Sequence, residues 1–580
     1  MTTEQAVTPL GVRLLHAQAA LLDRDADRAA TAFRQLIAQA PGLPQARFGL
    51  ASAMAAAGHP DEAAKALDAG RILLAAEMVR GADFDLGRCQ SEPAYAIQVA
   101  DRFYTAAMPA IAATLYGLAV AAGPVPMSVL LKYGLTLHHQ GRPEEALAIF
   151  RIAADNTDDP PTAEFLLPAH FPAANGVERQ AVEARRWADR FATGRPEPVF
   201  ANPPADGRRL RIGYVAPSFV NNQARQFLTP LLDNHDREAV EVFLYPQAEE
   251  IGPWDAPVVM RPIGELPDQE AAALIRGDGI DVLVDVWGHN AGGRLPVFAY
   301  RPAPVQVSWL NYMQTTGVRA MDYTLHSDTV DQPGMQDLFC EKIWRMGVTS
   351  APFRPDRPPS MAPTPQARNG YPTFGSFSHP SKVTPVTIAL WSSILRRVPK
   401  AQLVLKYRYY LDPVLQVATG AQFAAHGIDP LRIHFQGHSV GDDYAVEFDR
   451  IDLMLDPTPA PGGTTTMEAL AHGVPVLTLA GETYYSRIGV ELLAGAGLPE
   501  LVAASAADYV ETAVEVTADT GRLQALRERV APGFAAAPYR DEKTMVRRFE
   551  ASFIEMFRIW SREQPAANSR GEPVFCGVGS

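Results

Sequence analysis

A chain of 580 residues, 47% hydrophobic and 20% charged, has the make-up of a globular protein and is long enough for several domains, which excludes a disordered polymer. Its 52 Lys and Arg against 65 Asp and Glu leave a formal charge of −13, which argues against nucleic acid held by a global positive field. Cys89, Cys340 and Cys576 are too scattered for a disulfide framework or a zinc cage, no apolar run is long enough to span a membrane, and the N-terminus lacks a basic stretch ahead of an apolar core. A soluble, cytoplasmic protein without membrane association is expected.

The first predicted elements are helices. From residue 12 to about 157 a small residue recurs four positions ahead of a large one: Ala29 and Phe33, Ala63 and Leu67, Ala112 and Tyr116, Ala146 and Phe150. Successive pairs are spaced by 34, 49 and 34 residues, and 34 is the period of the tetratricopeptide helix pair, in which the small residue lets two helices approach. The middle spacing implies an insertion around residues 78–93. Pro41 and Pro124 fall where a second helix should stop, and Gly58-His59-Pro60 and Gly141-Arg142-Pro143 supply turns. An ordinary Ala-rich bundle is the alternative; stacked repeats would present a concave face to a polypeptide partner.

Residues 192–208 carry four prolines and no apolar period, the signature of a linker. Beyond it strands alternate with helices. LRIGYVA (210–216), AVEVFLYP, DVLVDVWG (281–288) and VQVSWLN are predicted strands; FLTPLLDNH, DQEAAALIRGDG and RLPVFAY are predicted helices. Alternation of this kind makes a doubly wound parallel sheet, whose ligands sit beyond the carboxyl ends of the strands. At those ends stand SFVNNQARQF (218–227) and GHNAGGR (288–294), with His289 either lining a site or capping the next helix.

A second such domain follows, with strands PTFGSFS (372–378), AQLVLKY, RIHFQGH (432–438), IDLMLD (451–456) and VPVLTL. Within DPTPAPGGTTTMEALAHGVPVLTLAGE (456–482) a Gly-Gly turn opens a helix, so backbone N–H groups can face an anion there. Gly463, Thr464, Thr465 and Thr466 are the candidates. The competing reading is a capping box of Thr465 and Glu468, which needs one hydroxyl where three are present. Lys382 in HPSK (379–382) stands at a helix entrance, where the dipole disfavours a cation unless an anion lies nearby; the alternative is a solvated surface lysine.

Taken together, FGSFSHPSKVTPVTIALW, DPTPAPGGTTTMEALAHGVPVLTLAGETYYSRIG and DVLVDVWGHNAGGRLPVFAYRPAPVQVSWLNYMQTTG resemble the O-GlcNAc transferase and SPINDLY family of nucleotide-sugar glycosyltransferases. The preceding repeats match its architecture. The resemblance implies an α/β GT-B fold, two Rossmann-like domains facing a cleft, after an all-α repeat domain. The expected partition is repeats over 1–191, linker over 192–207, an acceptor-side domain over 208–365, a donor-side domain over 366–545, and a C-terminal helix and tail over 546–580. Phe553, Met556, Phe557 and Trp560 form one apolar stripe on that helix, and the tail after Gln564 is expected to be loose.

Residue by residue, the resemblance implies that Lys382 contacts the donor diphosphate and that Thr464 and Thr465 form the pair at the phosphate-binding helix terminus. Glu468 matches a ribose-holding position, His438 and Ser439 fall where the backbone meets the nucleobase, and Arg487 stands in the ET-x-x-SR stretch. His379 occupies a position where relatives carry an amide, and His289 matches an acceptor-side GH-x-A-G loop and is the candidate general base. This chain departs from the family on the acceptor or sugar side, with Ser218, Asn222 and Gln226 after the first strand and NYMQTTG, including Tyr312, at 311–317; Ala460-Pro461 is a further departure beside the double glycine.

No metal and no resident cofactor is expected, because an early D-x-D, Asp83 to Asp85, lies among the repeats and not at a strand end. The expected activity is metal-independent transfer of a sugar from a UDP-, GDP- or CMP-linked donor to Ser or Thr of a protein recruited by the repeats. The alternatives are a flagellin-type enzyme using a CMP-nonulosonic acid, a repeat protein that binds a nucleotide sugar without transferring it, and an epimerase or hydrolase on the same fold.

Overall fold

The structure is a computed structural model describing residues 9–81, 85–155, 176–192, 198–220, 224–250, 252, 254, 257–290, 292–356, 363–439 and 442–563. The expectations for Asn222, Asp83 and the tail beyond residue 563 fall outside the described residues. None of the described helices is long and apolar enough to cross a membrane.

Helices fill the N-terminal part. Ala26–Gln39, Pro44–Ala56, Pro60–Gly81, Pro93–Thr105, Pro109–Ala122, Met127–His138 and Pro143–Asp155 stack as neighbours, several with proline in the first turn, where its missing N–H costs nothing. Phe33 and Phe150 are fully buried against the backbones of Gly49 and Gly134: a methyl on either glycine would lie 2.2 or 2.1 Å from the ring. The insertion contributes a short helix, Leu86–Ser91, and Asp85 caps it by accepting the Arg88 N–H at 3.0 Å.

Two compact units emerge from the chain. One comprises Ala184–Asp328, Gln336–Arg354 and Pro538–Ser580. Its sheet holds β1 (Leu210–Val215), β2 (Val240–Tyr245), β3 (Val259–Met260), β4 (Val282–Asp285), β5 (Val305–Ser308), β6 (Tyr323–His326) and β7 (Lys342–Arg345). All seven pair parallel in the order β3-β2-β1-β4-β5-β6-β7. Burial on both faces explains why β4 opens as an apolar run and why every residue of β1, β4 and β5 except Arg211 is buried. The Glu542–Glu563 helix lays Met545, Val546, Phe549, Phe553, Met556 and Phe557 into this core.

The other unit comprises Met1–Glu183, Thr329–Met335 and Pro355–Ala537. Its sheet holds β8 (Thr373–Ser376), β9 (Gln402–Lys406), β10 (Ile433–Gln436), β11 (Leu453–Leu455), β12 (Val476–Leu479) and β13 (Val502–Ala503), parallel in the order β10-β9-β8-β11-β12-β13. The repeats belong to this unit and are joined to it by polar contacts. The buried Asp412 carboxylate accepts Val414 N–H at 2.9 Å and Leu415 N–H at 3.3 Å, starting the Pro413–Ala425 helix. It also accepts Ala110 N–H at 2.7 Å and Ile111 N–H at 3.2 Å, starting the Pro109–Ala122 repeat helix. One side chain caps two helices. Ser52 adds a hydroxyl hydrogen bond to the Ala421 carbonyl at 2.5 Å.

Candidate functional site

In the second sheet the strand order reverses between β8 and β11, the crevice where doubly wound sheets bind ligands. The chain leaves β11 at Asp456, a buried carboxylate whose Oδ1 accepts Gly462 N–H at 3.0 Å and the Thr466 hydroxyl at 3.1 Å. Burial raises this carboxyl to about 6, opposed by those hydrogen bonds and by the nearby Lys382 charge. Gly462 is required by the close approach: a Cβ there would lie 2.5 Å from the Thr466 Oγ and 2.8 Å from the Thr465 Oγ. Around Gly463 the space is open, and a methyl placed there would have no atom within 4 Å.

Gly463 is the N-cap of the Thr464–Ala471 helix and makes no side-chain cap hydrogen bond. Thr465 therefore lies inside the first turn, two residues past the cap, and the capping-box reading does not describe this helix start. The N–H groups of that turn are left to a ligand or to water. Lys382 reaches the same loop from the Pro380–Lys382 turn after β8: its Nζ donates to the Pro461 carbonyl at 2.9 Å and lies 5.4 Å from the centre of the Tyr485 ring. An ammonium, an uncapped helix start and two glycines thus share one loop, an arrangement suited to a diphosphate.

The remaining candidates of this unit divide. Glu468 accepts the Tyr444 hydroxyl at 2.7 Å on the same helix as the threonines. Arg487 donates to the Gly481 carbonyl at 3.1 Å, holding its own loop. His438 is exposed and Ser439 half-buried just past the end of β10. His379 is turned toward the repeats: its Nε2 lies 3.1 Å from His139 Nδ1, and its Nδ1 lies 2.6 Å from the Ser381 hydroxyl. Burial, then the neighbouring His139 and His138, hold the His379 imidazole well below its usual range.

In the first sheet the equivalent crevice lies between β1 and β4. Asp285 ends β4 and accepts Trp287 N–H at 3.2 Å and Gly288 N–H at 2.9 Å; burial raises its carboxyl to about 7. Gly288, at φ +59, lies so close to Tyr312 that a Cβ would come within 2.2 Å of it. His289 is 0% exposed; its Nε2 lies 2.7 Å from the Thr316 carbonyl, and its ring meets Trp187 and Tyr312 edge-on at 4.9 and 5.0 Å. It does not cap the next helix, Leu295–Phe298, whose N-cap is Arg294. Gln226 is buried in the first turn of the Arg225–Asn234 helix, and its carbonyl accepts Arg354 N–H at 2.8 Å. Asp456 and Asp285 are the residues that sequence reasoning passed over; the signal was an acidic residue closing an apolar strand, LMLD and VLVD.

Residues 197–351 and 368–548 match glycosyl transferase family 41. The chain belongs to that family. Residues 20–75 and 100–161 match tetratricopeptide repeats, and two Rossmann-like domains after such repeats make this family 41 member a GT-B protein. It is 32% identical over 386 residues to a probable UDP-N-acetylglucosamine-peptide N-acetylglucosaminyltransferase SPINDLY of Oryza sativa subsp. japonica, covering 64% of this chain and 42% of that protein. To the UDP-N-acetylglucosamine-peptide N-acetylglucosaminyltransferase of Caenorhabditis elegans it is 24% identical over 484 residues, covering 62% and 42%. The chain thus spans less than half the length of these curated relatives. A solved Thermobaculum terrenum O-GlcNAc transferase mutant superimposes with a TM-score of 0.73 and 29% identity, covering 97% of this chain and 99% of that one.

Proposed function

We propose that this family 41 chain transfers a sugar from a nucleotide-sugar donor to a Ser or Thr hydroxyl of a protein recruited by the repeats. The observation that carries the reading is the loop shared by Lys382 and the uncapped start of the Thr464–Ala471 helix. In the transfer the acceptor oxygen bonds the anomeric carbon, the bond from that carbon to the donor's phosphate oxygen breaks, and the acceptor proton passes to water. Negative charge grows on the departing diphosphate, where the Lys382 ammonium and the helix N–H groups meet it without a divalent ion. Glu468 orients the ribose, and the backbone at His438 and Ser439 reads the base. His289, buried beside Tyr312, positions the acceptor-side loop instead of accepting the proton.

The relatives' names make UDP-N-acetylglucosamine the first donor to test. We place it in the cytoplasm, the reducing compartment expected of a chain with three scattered cysteines. The test incubates purified protein with UDP-, GDP- or CMP-linked sugars and a lysate, then measures intact protein masses. One sugar residue added to a defined protein supports transfer. Free sugar released from the donor would make the chain a hydrolase; an unconsumed donor that only raises thermal stability would make it a binder.

A further inference from the structure

The end of one repeat helix brings a second kind of chemistry to the donor-side unit. His138 closes the Met127–His138 helix, His139 follows it, and His379 heads the turn that carries Lys382. One ring nitrogen from each lies within 4.8 Å of the other two. The ring centres stand farther apart, at 5.2 Å for His139 and His379, 5.6 Å for His138 and His379 and 5.8 Å for His138 and His139. The nitrogens therefore converge. Two imidazoles on a tetrahedral zinc ion, each about 2.0–2.1 Å from the metal, place their nitrogens about 3.3 Å apart. His139 Nδ1 and His379 Nε2 are already 3.1 Å apart.

The scaffold around the rings is built from both sides. Tyr409 stacks on His139 at 4.4 Å and Tyr407 meets His379 edge-on at 4.8 Å. Gly141, at φ +74, lets the repeat turn approach Pro380, whose carbonyl oxygen would lie 3.3 Å from a Cβ. Ser381 holds His379 Nδ1 with its backbone N–H at 3.1 Å and its hydroxyl at 2.6 Å, which fixes the ring so that Nε2 faces His139. No carboxylate belongs to the triad, and the positive Arg408 and Lys382 are close enough to affect His379. A hard ion held by charge, such as Mg2+ or Ca2+, is excluded by that donor set; an ion that bonds imidazole nitrogen is not.

We propose that His138, His139 and His379 bind one divalent transition ion of the zinc class, which staples the repeat helix to the donor loop. The fourth position is filled by water or an anionic oxygen. The ion acts as a tie, and its presence or absence is independent of whether the donor reading above holds.

The test strips the full-length protein with a chelator and titrates it with Co2+, then Zn2+. The expected result is one equivalent bound with a Kd below about 10 μM, and the intense visible absorption of four-coordinate cobalt. Zn2+ should raise the melting temperature of the unaltered protein. His138→Ala, His139→Ala and His379→Ala should each weaken binding by roughly tenfold or more, while His434→Ala, a histidine outside the cluster, should not. Less than one equivalent, the pale spectrum of six-coordinate cobalt, or triad variants that bind as tightly as the unaltered chain overturns the proposal. The cobalt spectrum is read on the unaltered chain, so a variant that fails to fold does not shield it. A melting shift with nucleotide sugar, measured on the stripped protein, reports on the donor site separately.

Discussion

The two parallel sheets solve the same local problem and use the solution differently. Each places a buried aspartate at the end of the strand across its switch point, Asp285 closing β4 and Asp456 following β11; Asp285 accepts two N–H groups of the glycine loop that follows, and Asp456 accepts one N–H and the Thr466 hydroxyl. In the second sheet the gathered loop opens into empty space at Gly463 and then into a helix start with no side-chain cap. In the first, the loop folds down on Tyr312 and buries His289 completely. The same buttress thus supports an open, uncapped helix start in one sheet and a packed plug in the other. What decides the outcome is the residue after the glycine turn: small hydroxylated threonines leave the backbone accessible, whereas an imidazole between two aromatic rings closes it.

The comparison breaks most visibly at Lys382. If the second loop handles the leaving group, Lys382→Ala should lower turnover by roughly a hundredfold or more, about 3–4 kcal/mol in the barrier, in steady-state transfer assays. Near-normal turnover removes the cradle from the chemistry. The adjacent glycines sharpen the point. Gly462→Ala should lower stability by about 1–3 kcal/mol in denaturant unfolding, because its methyl meets the Thr465 and Thr466 hydroxyls. Gly463→Ala should leave the free protein's melting temperature unchanged and weaken the donor roughly tenfold, its methyl standing where the ligand's oxygens belong. Equal effects of the two changes would mean that no ligand uses the gap.

The smallest expected effect is in pH dependence. Both aspartates have folded values raised above the usual 3.8, to about 7 for Asp285 and about 6 for Asp456. The folded protein then holds protons that the unfolded chain has released. Their contribution is full below about pH 4 and is lost as pH rises through the folded values. Asp285→Asn and Asp456→Asn remove that loss, so the melting temperature of each variant relative to the unaltered protein should climb from about pH 4 to about pH 7 for Asp285→Asn and to about pH 6 for Asp456→Asn. Asp456→Asn should level off about one pH unit earlier. Buried histidines such as His235 and His326 change stability in the opposite direction, and the variant-minus-parent difference cancels them. A flat difference would show that burial does not hold these carboxyls protonated.

Much of this architecture was legible in the chain. Runs such as LRIGYVA and DVLVDVWG announce strands buried on both faces, and Gly-Gly before three threonines announces a helix start. β3 and β13 were not legible because two residues show no period, and β7 was not because four residues at an edge, KIWR, alternate with nothing. The capping-box register misled by two residues, since the helix begins at Thr464. His289 was singled out by its likeness to the GH-x-A-G loop; the ring packed on it, Trp187, lies about a hundred residues upstream, where no local pattern points to it. The grouping of His379 with His138 and His139 was invisible for the same reason, His139 and His379 being 240 residues apart.

Asp412 gives the repeats an unexpected mechanical status. A solenoid on a linker swings freely; this one begins one of its helices on the same carboxylate that begins the Pro413–Ala425 helix of the second sheet's unit. Under the proposed function, cargo that bends the stack would pull on that shared hinge pin, and acceptor capture would be felt at the donor-side sheet through this buried acid.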